Sequence, residues 1–199
     1  MTSILTTLAK DLSASDMQRL SYESNKWLKS KVSGLRNFNN IRKDISKEEF
    51  RYSKRFMLGR LYFFFYDPKT KDDLPYYDKF PLTIVLDRYD DGFLGLNLHY
   101  LPIKYRIQFL GKLMNYASTN HDNEIIRVRI TYDILQASRK IREFRPCLKR
   151  YLFSNIKSKI LTVQPNEWEV ASFLPVHLYK NAAPTKVWED SLKEFQHTR

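Results

Sequence analysis

Seven aspartates fall within residues 63–91 (Asp67, Asp72, Asp73, Asp78, Asp87, Asp90 and Asp91), against four basic side chains. Two or three carboxylates with a lysine nearby are what a Mg²⁺-dependent nuclease uses to hold its metal. Asp67, Lys69 and Asp87 are the set whose types suit that chemistry. Turn formation is the stronger explanation. Asp67, Asp72, Asp73, Asp90 and Asp91 stand where the chain is expected to reverse, and a short carboxylate there bonds to the local backbone. His99 closes an expected strand, a position open to a base or a ligand, but His121, His177 and His197 make no ligand pattern with it. A hydrogen-bonded structural histidine is the expectation. Cys147, among Arg145, Lys149 and Arg150, has neighbours that would lower a thiol pKa. With no partner base in view, it reads better as a small packed residue. The five glycines, at 34, 59, 92, 95 and 111, form no phosphate-cradling loop. These residues predict no enzyme, no metal site, no cofactor and no small-molecule substrate.

A different chemistry is better represented. Residues 127–159 hold ten basic side chains against Asp133 and Glu143 alone. Arg139, Arg142 and Arg145 repeat at intervals of three, which on a helix places them side by side. Lys140, Lys149 and Arg150 lie among or just after them, followed by Tyr151 and Phe153. Guanidinium groups for phosphate oxygens, with aromatic rings close by, suit contact with nucleic acid. The candidate nucleic-acid-binding residues are therefore Arg127, Arg129, Arg139, Lys140, Arg142, Arg145, Lys149 and Arg150. The competing reading is a solvated helix face that meets acidic loops of this chain or of a neighbour.

Composition points the same way. The 199 residues carry 34 Lys plus Arg against 22 Asp plus Glu, a formal charge of +12. Such an excess favours a polyanionic partner and says nothing about fold. A single cysteine excludes an intramolecular disulfide and a multi-cysteine zinc site, and suits folding in a reducing cytoplasm. The longest apolar run, about Leu61 to Tyr66, is too short to cross a bilayer, and Met1-Thr2-Ser3 does not open a secretory signal. No membrane association is expected. At 15% aromatic residues the chain has ample material for a core.

The elements that must position these side chains follow from periodicity. Apolar residues from Ile4 to Val32 recur at helical spacing, as one helix or two, and 34–50 is polar and turn-rich. Three strands are expected in 57–99: the aromatic run Leu58–Tyr66 stopped by Pro68, then 80–89, then 93–99. Asp90-Asp91-Gly92 joins the last two, with Asp-Gly supplying the positive φ of a tight hairpin. Helices follow over 103–117, with Arg106 largely outside the apolar stripe, and from Tyr132 to Phe144, where Pro146 prevents continuation. Residues 125–130 fit either strand or helix entry. Tyr151, Ile156, Ile160, Leu161 and Val163 lead into another strand, a short helix runs from Pro165 to Phe173, and a last helix spans Pro184–Phe195. The expected fold class is α+β. A small antiparallel β-barrel or sheet core (about 57–99 plus 156–163) has flanking helices. The domain reading is an N-terminal helical arm and linker over 1–50 and a single α+β domain over 51–199.

Two stretches carry a resemblance. One runs through Gly59-Arg60-Leu61-Tyr62-Phe63, Tyr66-Asp67-Pro68-Lys69, Leu74 to Leu82 and Gly92 to Pro102; the other is Arg145 to Phe153. Over about 57–190 the chain resembles the DNA end protector proteins of T-even-type contractile-tailed phages, small virion proteins. The resemblance implies a non-enzymatic phage structural protein that binds and shields the ends of packaged double-stranded DNA. It also implies residence in the virion after assembly in the host cytoplasm, beside other virion proteins of the neck, tail or baseplate. The alternative is an assembly component of the neck, tail or baseplate that contacts only protein. Read physically, Tyr76-Tyr77-Asp78 and Phe80-Pro81 form a rigid aromatic loop closing the barrel, and Gly92 and Gly95 permit the hairpin turn and a close crossing.

Overall fold

The computed structural model describes residues 56–119, 142–158, 160–163, 168–173 and 179–196, with isolated positions at 22–24, 26, 133, 136, 137 and 140. The expected N-terminal helix and the 34–50 linker therefore lie almost wholly outside the described residues, as do 125–130. Among the described residues there are seven strands: β1 (Leu61–Phe63), β2 (Tyr77–Asp78), β3 (Leu82–Tyr89), β4 (Gly92–Asn97), β5 (Leu148–Leu152), β6 (Leu161–Val163) and β7 (Tyr179–Lys180). The α-helices are α1 (Ile103–Thr119), α2 (Trp168–Ser172) and α3 (Pro184–Gln196).

Five strands form one antiparallel sheet in the order β5-β4-β3-β1-β6, and β2 pairs with β7 as a separate ribbon. The fold is α+β as expected, but no closed barrel forms among the described residues, because β5 and β6 are the two edges and do not pair. The sheet does curl at one end. Tyr66, beyond β1, bridges Ile156, beyond β5, and Lys157 N–H donates to the Phe65 carbonyl at 2.8 Å. The Tyr76-Tyr77-Asp78 segment builds the β2–β7 ribbon rather than closing a barrel.

Alternation along the strands gives the sheet two buried faces. Leu61, Phe63, Leu82, Ile84 and Leu96 face the helices, where Ile107, Leu110, Ala171 and Val187 complete a core. Tyr62, Val85, Phe93 and Tyr151 point to the concave side, which the chain itself covers with Phe56, Phe153 and Ile156. There the packing is aromatic, with Phe56 and Phe93 centroids 4.4 Å apart and Phe93 and Tyr151 5.2 Å apart. Cys147 is fully buried in the helix-side core, as a packed small residue.

The β3–β4 hairpin turns through Asp90-Asp91, with Tyr89 opposite Gly92. Gly59 is the one glycine at positive φ among the described residues, so the expected left-handed role of Gly92 is not what it serves. Close approach is: a Cβ on Gly92 would lie 1.9 Å from the Tyr151 carbonyl oxygen, and one on Gly95 2.2 Å from Thr83 Cγ2. The glycines let β3, β4 and β5 press together.

Arg106 also departs from expectation. It is fully buried. Its guanidinium donates to the carbonyls of Leu98 (3.1 Å), Ser172 (3.1 Å) and Leu101 (3.3 Å). Helical periodicity placed it on the polar side. Buried carbonyls at the junction of α1, α2 and the 3₁₀ turn Leu98–Tyr100 draw it inward instead, that of Leu98 accepting the Leu101 N–H as well. Burial pushes its pKa down to about 10, which leaves it cationic at neutral pH.

Candidate nucleic-acid interface

Where the curl of the sheet approaches the β2–β7 ribbon, a groove of about 340 Å³ opens. Five of its lining residues are tyrosines. Tyr66 and Tyr151 come from the curled end, Tyr76 and Tyr77 from the ribbon, and Tyr100 from the 3₁₀ turn after β4. Tyr66 and Tyr151 meet edge to face with centroids 4.9 Å apart, and the Tyr66 hydroxyl accepts the Leu152 N–H at 3.2 Å. Burial raises the pKa of the Tyr66, Tyr100 and Tyr151 phenols, so all three stay neutral at physiological pH. The exposed loop that carries Lys69, Thr70 and Leu74 overhangs one side.

Asp78 and Asn97 form the floor. Asp78 is buried yet accepts three hydrogen bonds: from His99 Nδ1 at 2.7 Å, Asn97 Nδ2 at 3.0 Å and Phe80 N–H at 3.0 Å. Burial alone would raise its pKa, but the His99 ring and these donors outweigh it and hold the carboxyl below its ordinary value. Burial drives His99 the other way from what a carboxylate neighbour would do, below its ordinary pKa, and Asp78 restores only part of this. At neutral pH the pair is a carboxylate bonded to a neutral imidazole. Since a carboxylate only accepts, Nδ1 carries the proton. The Asn97 side chain also accepts from His99 N–H, and Trp188 Nε1 of α3 donates to the His99 carbonyl at 2.8 Å. His99 is thus the hydrogen-bonded structural histidine expected of it. Its network fixes the groove floor to the helix layer.

The structure gathers only part of the predicted basic set. Lys149 borders the groove with its Nζ 4.2 Å from the Tyr100 ring centroid. Arg150 also borders it, and its guanidinium stacks 4.0 Å over Tyr89 and pairs with Asp91 at the hairpin tip. Arg145 is exposed but does not line the groove. Lys140 is exposed in a second concavity beside Asp133, Gln136 and Ala137. Arg142 begins a 3₁₀ helix, Arg142–Cys147, with Pro146 inside it, so the expected α-helical register over Arg139, Arg142 and Arg145 does not reach Arg145. Arg127, Arg129 and Arg139 lie outside the described residues.

Lys69 joins Lys149 at the groove, although its sequence context suggested a metal site. Asp67 bonds Lys71, Asp87 accepts the Arg88 N–H, and no three metal-ligating side chains converge among the described residues. Of the groove tyrosines, the sequence placed only Tyr151 beside the basic residues; Tyr66, Tyr76, Tyr77 and Tyr100 were not read as part of a binding surface. The signal for those four was the recurrence of tyrosine at strand ends.

A strongly basic α+β protein with a tyrosine groove bordered by lysine has the make-up of a nucleic-acid-binding protein. Among the described residues no helix is long and apolar enough to cross a membrane. The family model described as phage T4 terminal DNA protecting protein matches residues 12–191, and the chain belongs to that family. It is a bacteriophage protein of a DNA-end-protecting class, in agreement with the resemblance drawn above. No curated protein and no solved structure matches it.

Proposed function

We propose that this protein is a virion component that binds the ends of packaged double-stranded DNA and shields them without catalysing a reaction on them. The observation that carries the reading is the placement of Lys149 and Lys69 beside a wall of tyrosine rings in a chain of net charge +12. Lysine supplies sequence-independent attraction to phosphate, and aromatic rings supply surface for bases. Arg127, Arg129, Arg139, Lys140, Arg142, Arg145 and Arg150 extend the phosphate-facing surface in this proposal. The absence of catalysis is supported by the way the floor is used. Asp78 and His99, the pair best suited to acid–base work, are buried and bonded to each other and to the fold.

The test is binding of linear against covalently closed duplex as salt is raised, together with protection of linear DNA from an exonuclease. Six phosphate contacts would lower affinity about a thousandfold between roughly 50 and 200 mM salt. Salt-sensitive preference for the linear form, with slower digestion and unaltered DNA ends, is the expected result. A protein that contacts only acidic virion partners would show neither preference nor protection, and that outcome defeats the proposal.

A further inference from the structure

We infer that the tyrosine groove is a pocket for a single nucleotide: the base of the last residue of a DNA strand enters it, and the attached phosphate meets Lys149 and Lys69. This rests on the DNA-end reading above and names which part of the end is held.

Size comes first. At about 340 Å³ the groove lies at the small end of ligand-sized cavities, a size that suits one nucleoside. Shape and polarity agree. Five of the lining residues are tyrosines: Tyr66, Tyr77, Tyr100 and Tyr151 are buried, with edge-on contacts such as Tyr66 on Tyr151 holding them in place, and Tyr76 is half-buried at the groove. Pro68 and Leu74 add apolar surface. A ligand that fits such walls is planar and largely apolar on its faces. Lys149 stands beside the Tyr100 ring, so the same ligand carries negative charge at its other end. A nucleotide combines the two.

Charge sets the orientation. The floor carboxylate of Asp78 repels phosphate and faces the N–H edge of a base favourably. The base therefore goes inward and the phosphate stays at the lysines. Asp72 and Asp73, on the same overhanging loop as Lys69, are not among the groove-lining residues.

The floor is already organised before DNA arrives. Asp78, Asn97 and His99 bond to one another, and Trp188 ties them to α3. Little rearrangement is left for binding to drive.

Such a pocket distinguishes ends from interior duplex without reading sequence. An internal base gives up its pairing and two stacking neighbours to leave the helix, whereas a terminal base has only one stacking neighbour to lose. Every base has a π face, so the pocket accepts all of them.

The experiment uses the full chain and a short hairpin duplex with one open end, followed by fluorescence anisotropy. Three DNAs are compared: the intact open end, the same end with its terminal nucleotides made abasic, and the same sequence closed into a dumbbell. The intact end is expected to bind tightest, and removal of the terminal bases to weaken binding roughly tenfold, within the range that stacking on an aromatic ring supports. In Tyr76→Ala the intact and abasic ends are expected to bind alike. Because the decisive change is in the DNA, the wild-type comparison is independent of any folding defect in the variant. If the open end is preferred over the dumbbell but the abasic end binds as well as the intact one, the pocket is refuted and end protection stands. If open end and dumbbell bind equally, both readings fall.

Discussion

Replacing Asp78 by asparagine tests the physical account of the groove floor. The change keeps volume and shape, so the cost comes from hydrogen bonding and charge. In the native protein the carboxylate is a pure acceptor facing three donors: His99 Nδ1, Asn97 Nδ2 and Phe80 N–H. An asparagine has one acceptor oxygen. If that oxygen takes the place of Oδ2, its amide N–H₂ confronts Phe80 N–H; if the amide is turned over, it confronts both His99 and Asn97. Either way at least one buried donor loses its partner and charge-assisted bonds become neutral ones. Unfolding should therefore require about 2–4 kcal/mol less free energy at neutral pH. Urea denaturation at pH 7, followed by tryptophan fluorescence, measures this, and Trp188 sits one hydrogen bond from the site. A loss below about 1 kcal/mol would mean that water or rearrangement satisfies the donors and that the floor is not the rigid element described.

The same pair predicts a pH dependence. His99 is held below its ordinary pKa of 6.5 by burial, so from 6.5 down to its folded-state value the unfolded chain binds a proton that the folded chain does not. Stability should fall with acidification in that window by up to about 1.4 kcal/mol per pH unit, and His99→Gln should remove that contribution. Equal slopes in the two proteins would contradict it. Asp78, also held low, adds a separate loss only at more acid pH, below its ordinary 3.8. Gly92→Ala should destabilise by about 2 kcal/mol or more, since the new methyl overlaps the Tyr151 carbonyl and not a movable side chain; thermal melting measures it. Arg106→Met should cost about 3 kcal/mol by removing three charge-assisted hydrogen bonds to buried carbonyls, read from chemical denaturation. Lys149→Ala should lower the slope of log affinity against log salt for linear DNA by about one phosphate contact while leaving stability nearly unchanged. An unaltered slope would remove Lys149 from the interface.

Local signals were legible wherever one segment decides its own conformation. The β3–β4 hairpin, α1 after Pro102 and α3 from Pro184 follow from strand alternation, turn residues and helical stripes within a few residues of chain. The family resemblance and the excess of positive charge were likewise present in the residue string. Arg106 shows where such reasoning ends. A helical wheel sees a charged side chain, but not the carbonyls of Leu98, Leu101 and Ser172 that another part of the chain brings to it. β5 escaped notice for a similar reason. Leu148–Leu152 has little alternation of its own and becomes a strand through pairing with β4, which the glycines at 92 and 95 allow to come close.

What the amino-acid string settled alone was the class of protein, its charge and its locally encoded elements. Tertiary structure decided which cations and rings share a site. Lys149 reaches Tyr100, Tyr66 reaches Tyr151, and Asp78 reaches His99 only through strand register and the curl of the sheet. Those pairings join residues tens of positions apart, and their free energy comes from burial and hydrogen bonding across the sheet, to which short-range periodicity is blind.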